Sequence, residues 1–306
     1  MIKRTLCFST PAHLSLSNGQ LEIDLKAVGD APARKTSVPI EDIGIVLLDH
    51  PQITITHSAI AALLDNTAAV ITCNATHHPT GLLLPLEGNT LQSERFRSQI
   101  EASVPLRKQL WQQTVTQKIL NQAALLSELR GTEVGNMKAW ASAVRTDDNT
   151  NLEGRAAAYY WSKMFPDIED FTRDRGGIYP NNLLNYGYAV LRAVVARSLV
   201  VSGLLPTMGI HHRNRYNAYC LADDIMEPYR PFVDRLVVQT MAEHPLTHTI
   251  TTDMKRSLLT IPTQQVCIGG QRSPLMVAVS QTTSSLAKCY AGTLRKINYP
   301  TIDGSF

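Results

Sequence analysis

Leu82-Leu83-Leu84-Pro85-Leu86-Glu87-Gly88-Asn89-Thr90-Leu91 marks the place where the pattern of this chain changes. Before it, apolar residues recur mostly every second position, the period of a half-buried strand. After it they recur every three to four, the period of a helix with one apolar stripe. The expected fold class is therefore α+β. A small β-rich N-terminal domain covers 1–87, and a larger all-helical domain covers 91–306, the two joined near Glu87-Gly88-Asn89.

Working outward, Leu21-Glu22-Ile23-Asp24-Leu25 alternates apolar and acidic residues behind Asn18-Gly19, a two-residue hairpin turn. Positions 43–48, 69–72 and 82–84 are further short apolar runs between turn residues, and 58–64 reads as one helical interlude. Downstream, Leu106, Leu110, Ile119 and Leu126 mark one long helix. Leu183, Leu184, Leu191, Val194, Val195 and Leu199 mark another, with Pro180 expected in its first turn. The longest apolar stretch, 188–205, contains Arg192 and Arg197, so it reads as a buried helix and not a membrane span.

Composition fits a globular protein of about two domains: 306 residues, 44% hydrophobic and 18% charged. Five scattered cysteines without a CxxC motif argue against zinc ribbons and a disulfide framework. The amino terminus lacks the apolar core of a signal peptide, so a reducing, cytoplasmic location is expected. Net charge is only +3, but residues 1–90 hold 5 basic against 8 acidic side chains, and residues 91–306 hold 24 against 18. The positive excess lies in the helical half, as expected if that half meets nucleic acid.

The chemistry concentrates in 209–230, GIHHRNRYNAYCLADDIMEPYR. His211 and His212 are followed by Asp223, Asp224 and Glu227, a mixed imidazole and carboxylate set suited to Mg²⁺ or Mn²⁺. Asp224 and Glu227 are three apart and would share one face of a helix. Arg213, Arg215 and Arg230 lie among the acids and could hold anionic oxygens. The same residues also fit a solvated helix end with surface histidines, and spacing alone does not decide between the two.

Three blocks in order carry a resemblance. The segment 209–234, GIHHRNRYNAYCLADDIMEPYRPFVD, is similar to the G-x-x-H and acidic blocks of the CRISPR-associated integrase family, the first Cas protein (Cas one). NLEGRAAAYYW at 151–161 resembles the family's E-G-x-A-A-x-x-Y-W block, and PNNLLNYGYAVL at 180–191 its N-x-L-L-N-Y-G-Y helix. Length and the DDIMEPYRP segment look most like versions found beside single-effector (type II) systems. The resemblance implies a metal-dependent DNA integrase and endonuclease. A prespacer 3′-hydroxyl would attack a phosphodiester at the edge of a CRISPR repeat, a transesterification needing no protein nucleophile.

Carried over residue by residue, the resemblance makes Glu153, His212 and Glu227 the ligands of one divalent ion or two. Register places the family histidine on His212 and leaves His211 as a neighbour that touches phosphate. Asp224 matches a supporting acid that binds metal or orients His212, and Asp223 is read as solvated. Glu153 has a local alternative, because Thr150-Asn151-Leu152-Glu153 has the form of a capping box. Arg155, Arg213, Arg215 and Arg230 are candidates for DNA contacts. Tyr159 and Trp161 could stack on bases or belong to the core, and His77-His78 reads as a surface turn. Removing a ligand is expected to stop catalysis at little cost in stability, as in a charge-rich, partly exposed cleft.

The partners implied are double-stranded DNA (prespacer and repeat), a second copy of the chain paired through the β-rich domain, and a dimer of the second Cas protein (Cas two) between two such dimers. A nuclease of branched or free-ended DNA would share these ligands without an integration role. A non-enzymatic DNA scaffold would not need all three ligand types intact. A zinc hydrolase of small molecules would use HExxH-type spacing, which is lacking here.

Overall fold

The structure, a computed structural model, describes residues 3–27, 29, 32–75, 77, 79–244 and 249–302. Eight strands and one helix come first: β1 (Arg4–Phe8), β2 (Ala12–Ser17), β3 (Gln20–Leu25), β4 (Arg34–Pro39), β5 (Ile43–Leu48), β6 (Ile53–Ile55), α1 (His57–Asp65), β7 (Ala69–Cys73) and β8 (Pro79–Leu83). They form two four-stranded sheets, ordered β4-β3-β2-β6 and β1-β5-β7-β8. Asn18 and Gly19 close the β2–β3 hairpin with positive φ at both central positions (48° and 71°), the conformation that an Asn-Gly turn favours.

β5 explains why the two halves form one body. It runs parallel to β1 and β7. Val46 and Val70 face the core shared with Leu14, Leu21 and Leu63. Ile45, Leu47 and Ile71 face the opposite way, into the core of the helices. A strand buried on both faces reads as a continuous apolar run, which is what Ile43-Gly44-Ile45-Val46-Leu47-Leu48 is.

The helices are α2 (Gln92–Ile100), α3 (Val104–Arg130), α4 (Gly135–Ala143), α5 (Leu152–Met164), α6 (Asn181–Val201), α7 (Cys220–Met226), α8 (Arg230–Glu243), α9 (Thr252–Leu258) and α10 (Leu275–Tyr290). Ser103 caps α3, its Oγ accepting from Leu106 N–H at 3.3 Å, and Gly131 ends that helix at φ 61°. α6 and α8 approach closely: a Cβ on Gly187 would lie 2.5 Å from Val233 Cγ1. Pro180 is the cap of α6 and not a first-turn residue. The helical part also carries a hairpin, β9 (Gln265–Ile268) and β10 (Gln271–Pro274), turned by Gly269-Gly270 at φ 59° and 75°. No helix among the described residues is long and apolar enough to cross a membrane.

Polar contacts lock the strand-rich part to the helices. Arg197 of α6 donates to Thr67 O at 2.5 Å. Lys255 of α9 and Asp49, just after β5, form a buried ion pair at 2.7 Å. His77 is more than a surface turn, because its Nδ1 lies 2.9 Å from Asp49 Oδ1; His78 lies outside the described residues. Asp49→Ala strands the buried Lys255 ammonium and is expected to lower stability by about 3–5 kcal/mol. The reading is a lower denaturant midpoint with an unchanged slope. An unchanged midpoint would mean that the pair is not buried in solution.

Candidate active site

Glu153 stands in the first turn of α5, behind an unusual approach. Asp147, Asp148 and Asn151 all have positive φ (75°, 45° and 52°). This bend brings the Asp148 carboxylate under the helix start, where it accepts from Leu152 and Glu153 N–H at 2.9 Å each. Asn151, and not Thr150, is the N-cap, accepting from Gly154 N–H at 3.2 Å. The capping-box alternative therefore falls. With its cap supplied by others, Glu153 extends to Lys118 of α3, whose Nζ donates to Oε1 at 2.6 Å. Gly154 serves that cap too, since a Cβ there would lie 2.6 Å from Asn151 Oδ1.

The histidine loop is held by a buried acid. Asp224, at 0% exposure, accepts from the backbone N–H of His211 (3.0 Å) and His212 (3.3 Å), and its Oδ1 lies 2.5 Å from His212 Nδ1. This engages Nδ1 and leaves Nε2 as the open ring nitrogen, so Asp224 orients His212. The spacing of Gly209 to His212 follows from the same tight turn. A Cβ on Gly209 would lie 2.3 Å from His212 O and 2.8 Å from Asp224 Oδ2. The hydrogen bond to Asp224 raises the His212 pKa against partial burial, and the charges of Asp224, Glu227 and Glu153 add to the rise. His211 instead stacks on Trp111, with centroids 4.3 Å apart and planes at 5°.

Glu227 begins the one-turn break (Glu227–Tyr229) between α7 and α8. Its Oε1 accepts from Arg230 Nε at 2.9 Å, and its Oε2 lies 2.5 Å from Lys118 Nζ. The second contact is a buried ion pair, so Oε2 faces the Lys118 ammonium. Burial would push the carboxyl up, but Arg230 and then Lys118 outweigh it and hold Glu227 down to about 2. Arg230 is steadied over the Tyr188 ring at 4.6 Å. Tyr188 and Tyr160 both donate to Asp234, at 2.6 and 2.8 Å.

Two expectations are corrected here. Asp223 is not solvated: it is buried between Arg192 and Asn217, each at 2.7 Å, because the first turn of α7 lies against α6. Nor is Glu227 partly exposed. At 5% exposure between two cations, its truncation would leave both uncompensated, so Glu227→Ala costs stability as well as chemistry.

Among the arginines, Arg155 is exposed over Trp140 at 4.8 Å, Arg213 is exposed, and Arg215 is exposed against the Tyr216 ring at 4.6 Å. Arg230 is committed to Glu227. Tyr159 and Trp161 are partly buried against the helical core. Lys118 escaped the sequence reading, although a signal was there. Lys118, Asn121 and Gln122 are three polar residues inside the apolar stripe of Val115, Ile119, Leu125 and Leu126, and all are buried. Asn121 donates to Pro228 O at 2.7 Å and to Pro300 O at 3.0 Å, fixing the turn that presents Glu227.

No three of the described His, Cys, Asp and Glu side chains are set to hold a metal ion as they stand. Two carboxylates instead converge on one ammonium, with an oriented imidazole in their electrostatic reach. A family model described as "CRISPR associated protein Cas1" matches residues 6–268. The chain belongs to the Cas1 family. A CRISPR-associated endonuclease Cas1 of Neisseria meningitidis serogroup C is 36% identical over 287 residues, covering 93% of this chain and 91% of that one. Another Cas1 endonuclease, from Pyrobaculum aerophilum, is 29% identical over 262 residues, 82% of this chain and 88% of the relative. In fold, the chain is similar to a casposase bound to integration product (TM-score 0.81, 18% identity, 100% of this chain and 96% of that one). It is also similar to a Cas1 protein of Thermotoga maritima (TM-score 0.74, 14% identity, 94% and 97% covered).

The His212–Asp224 contact has a definite pH signature in chelator-treated protein. Because the folded pKa is raised, the stability it contributes is complete below the unfolded value of about 6.5 and is lost as pH rises through the folded value. Melting temperature is expected to fall across that window in the wild type and to fall less in His212→Gln. Equal slopes would show that the imidazole is not bound to Asp224.

Proposed function

We propose that this Cas1-family protein is a divalent-metal-dependent DNA integrase and endonuclease that joins prespacer 3′-hydroxyl ends into a CRISPR repeat. One observation supports this most: the carboxylates of Glu153 and Glu227, from separate elements, meet at one cation position beside an imidazole whose Nε2 is open. The donor set suits Mg²⁺ or Mn²⁺, and Glu227 Oε2 already faces a cation, the Lys118 ammonium. Glu153, His212 and Glu227 would hold the ion. When bound, it supplies Lewis acidity to the target phosphodiester and offsets charge on the attacking and leaving oxygens.

The chain's own residues prepare that site. Asp224 fixes the His212 tautomer and ring direction, and Arg230 keeps Glu227 ionised and stationary, itself braced by Tyr188 and Asp234. The exposed guanidinium groups of Arg155, Arg213 and Arg215 are available to DNA phosphates. No side chain need act as nucleophile, because the DNA end brings its own hydroxyl. The partners proposed are double-stranded DNA, a second copy of the chain paired through the strand-rich part, and a dimer of Cas2 between two such dimers, in the cytoplasm. A solved Cas6-RT-Cas1–Cas2 complex has a chain of this fold (TM-score 0.74, 19% identity), and so does a Cas1–DNA complex (TM-score 0.57, 16% identity).

A repeat-bearing plasmid, a labelled duplex and Mn²⁺ test this. Glu153→Gln and His212→Gln are expected to lose about three powers of ten in joining rate while remaining folded. Joining by these variants at the wild-type rate would place the chemistry elsewhere. Cleavage without joining, indifferent to a 3′-deoxy end on the duplex, would favour the nuclease. Arg215→Ala is expected to weaken DNA binding and reduce its salt slope by about one, leaving chemistry at saturating DNA. Light scattering at micromolar concentration is expected to report a dimer, and a monomer would contradict the assembly.

A further inference from the structure

Lys118 is the cation that the two candidate ligand carboxylates now share. Its Nζ lies 2.6 Å from Glu153 Oε1 and 2.5 Å from Glu227 Oε2, and its side chain is only 11% exposed. A divalent ion bound by the same two carboxylates needs oxygens at about 2.0–2.6 Å. An ammonium and a divalent cation cannot both sit that close to one oxygen pair, since their mutual repulsion in a site poor in water is large. The rest of Glu227 is fixed, because Oε1 is anchored by Arg230 and the turn is tied by Asn121. α3 is a 27-residue helix buried along much of its length, so its backbone does not yield easily. The four-carbon stem of Lys118 is the part free to move.

We propose that Lys118 is the resident cation of the metal site, a positioning residue that holds Glu153 and Glu227 together without metal and is displaced when a divalent ion binds. This rests on the metal reading of the site given above. Binding of the ion is then an exchange of one cation for another. Metal affinity is lower than the bare carboxylate pair would give, and the two ligands are kept from repelling each other before the ion arrives.

The test uses the full chain without DNA. Mn²⁺ binding is measured by calorimetry on wild type, Lys118→Met and Glu153→Gln. Lys118→Met is expected to melt lower without metal, to bind Mn²⁺ roughly tenfold tighter, and to gain more melting temperature from it than the wild type does. Unchanged or weaker Mn²⁺ affinity in Lys118→Met overturns the role of Lys118 while leaving the metal site standing. Failure of the wild type to bind Mn²⁺ any better than Glu153→Gln overturns the metal site, and this inference with it. Should Lys118→Met not fold, the wild type alone decides. Acetylation by an amine-reactive ester, read by mass spectrometry, is expected to be slow at Lys118 in chelator and faster with Mn²⁺, with exposed Lys138 unchanged. Continued protection of Lys118 under saturating Mn²⁺ overturns the displacement.

Discussion

Glu227 carries a negative charge with almost no water around it, and much of the helical architecture compensates that charge. An ionised carboxylate removed from water loses several kcal/mol unless cations and hydrogen bonds replace the solvent. Here the replacements come from two directions. Arg230, one turn along, takes one oxygen, and Lys118, from the middle of α3, approaches the other. Each cation needs its own support. Arg230 lies over Tyr188 of α6, and the Tyr188 and Tyr160 hydroxyls close on Asp234 of α8. Lys118 shares its charge with Glu153 of α5. Four helices and one turn are thus tied to a single carboxylate. The Glu227-Pro228-Tyr229 break exists to present it, with Asn121 holding the Pro228 carbonyl.

The sequence blocks acquire physical reasons in this frame. Gly209 precedes His212 by three because the loop doubles back on its own carbonyl and on Asp224, leaving no room for a Cβ. Gly154 follows Glu153 because the Asn151 cap lies against it. In the NYGY segment, Gly187 admits Val233 of α8 and Tyr188 carries Arg230. A substitution at any of these positions would act by moving a carboxylate or an imidazole, not by removing one.

Much of the fold was legible because burial writes itself into period. The double-faced β5, the Asn18-Gly19 hairpin and the long stripes of α3 and α6 all follow from which faces meet water. β4 was not legible, since four of its six residues are exposed and its sequence does not alternate. The hairpin β9–β10 announced itself only through Gly269-Gly270. At the site, local patterns misled where tertiary contacts decided. Thr150 to Glu153 has capping-box form, but the left-handed turn at Asp147 and Asp148 delivers a different cap. Asp223 looked like a solvated helix-end acid, yet Arg192 reaches it from a neighbouring helix 31 positions away in the chain. Lys118 lay hidden in a helix whose apolar stripe drew the eye from its polar members. Its one local mark is the polar trio Lys118, Asn121 and Gln122 inside that stripe, which does not say which charges they meet.

Diffraction from crystals soaked in Mn²⁺, recorded at the manganese absorption edge, tests the central claim most directly. The expected result is an anomalous peak bounded by Glu153, the Nε2 side of His212 and Glu227, with the Lys118 ammonium no longer between the two carboxylates. A peak elsewhere on the molecule, or none there at saturating Mn²⁺ with Lys118 still bridging Glu153 and Glu227, would contradict it.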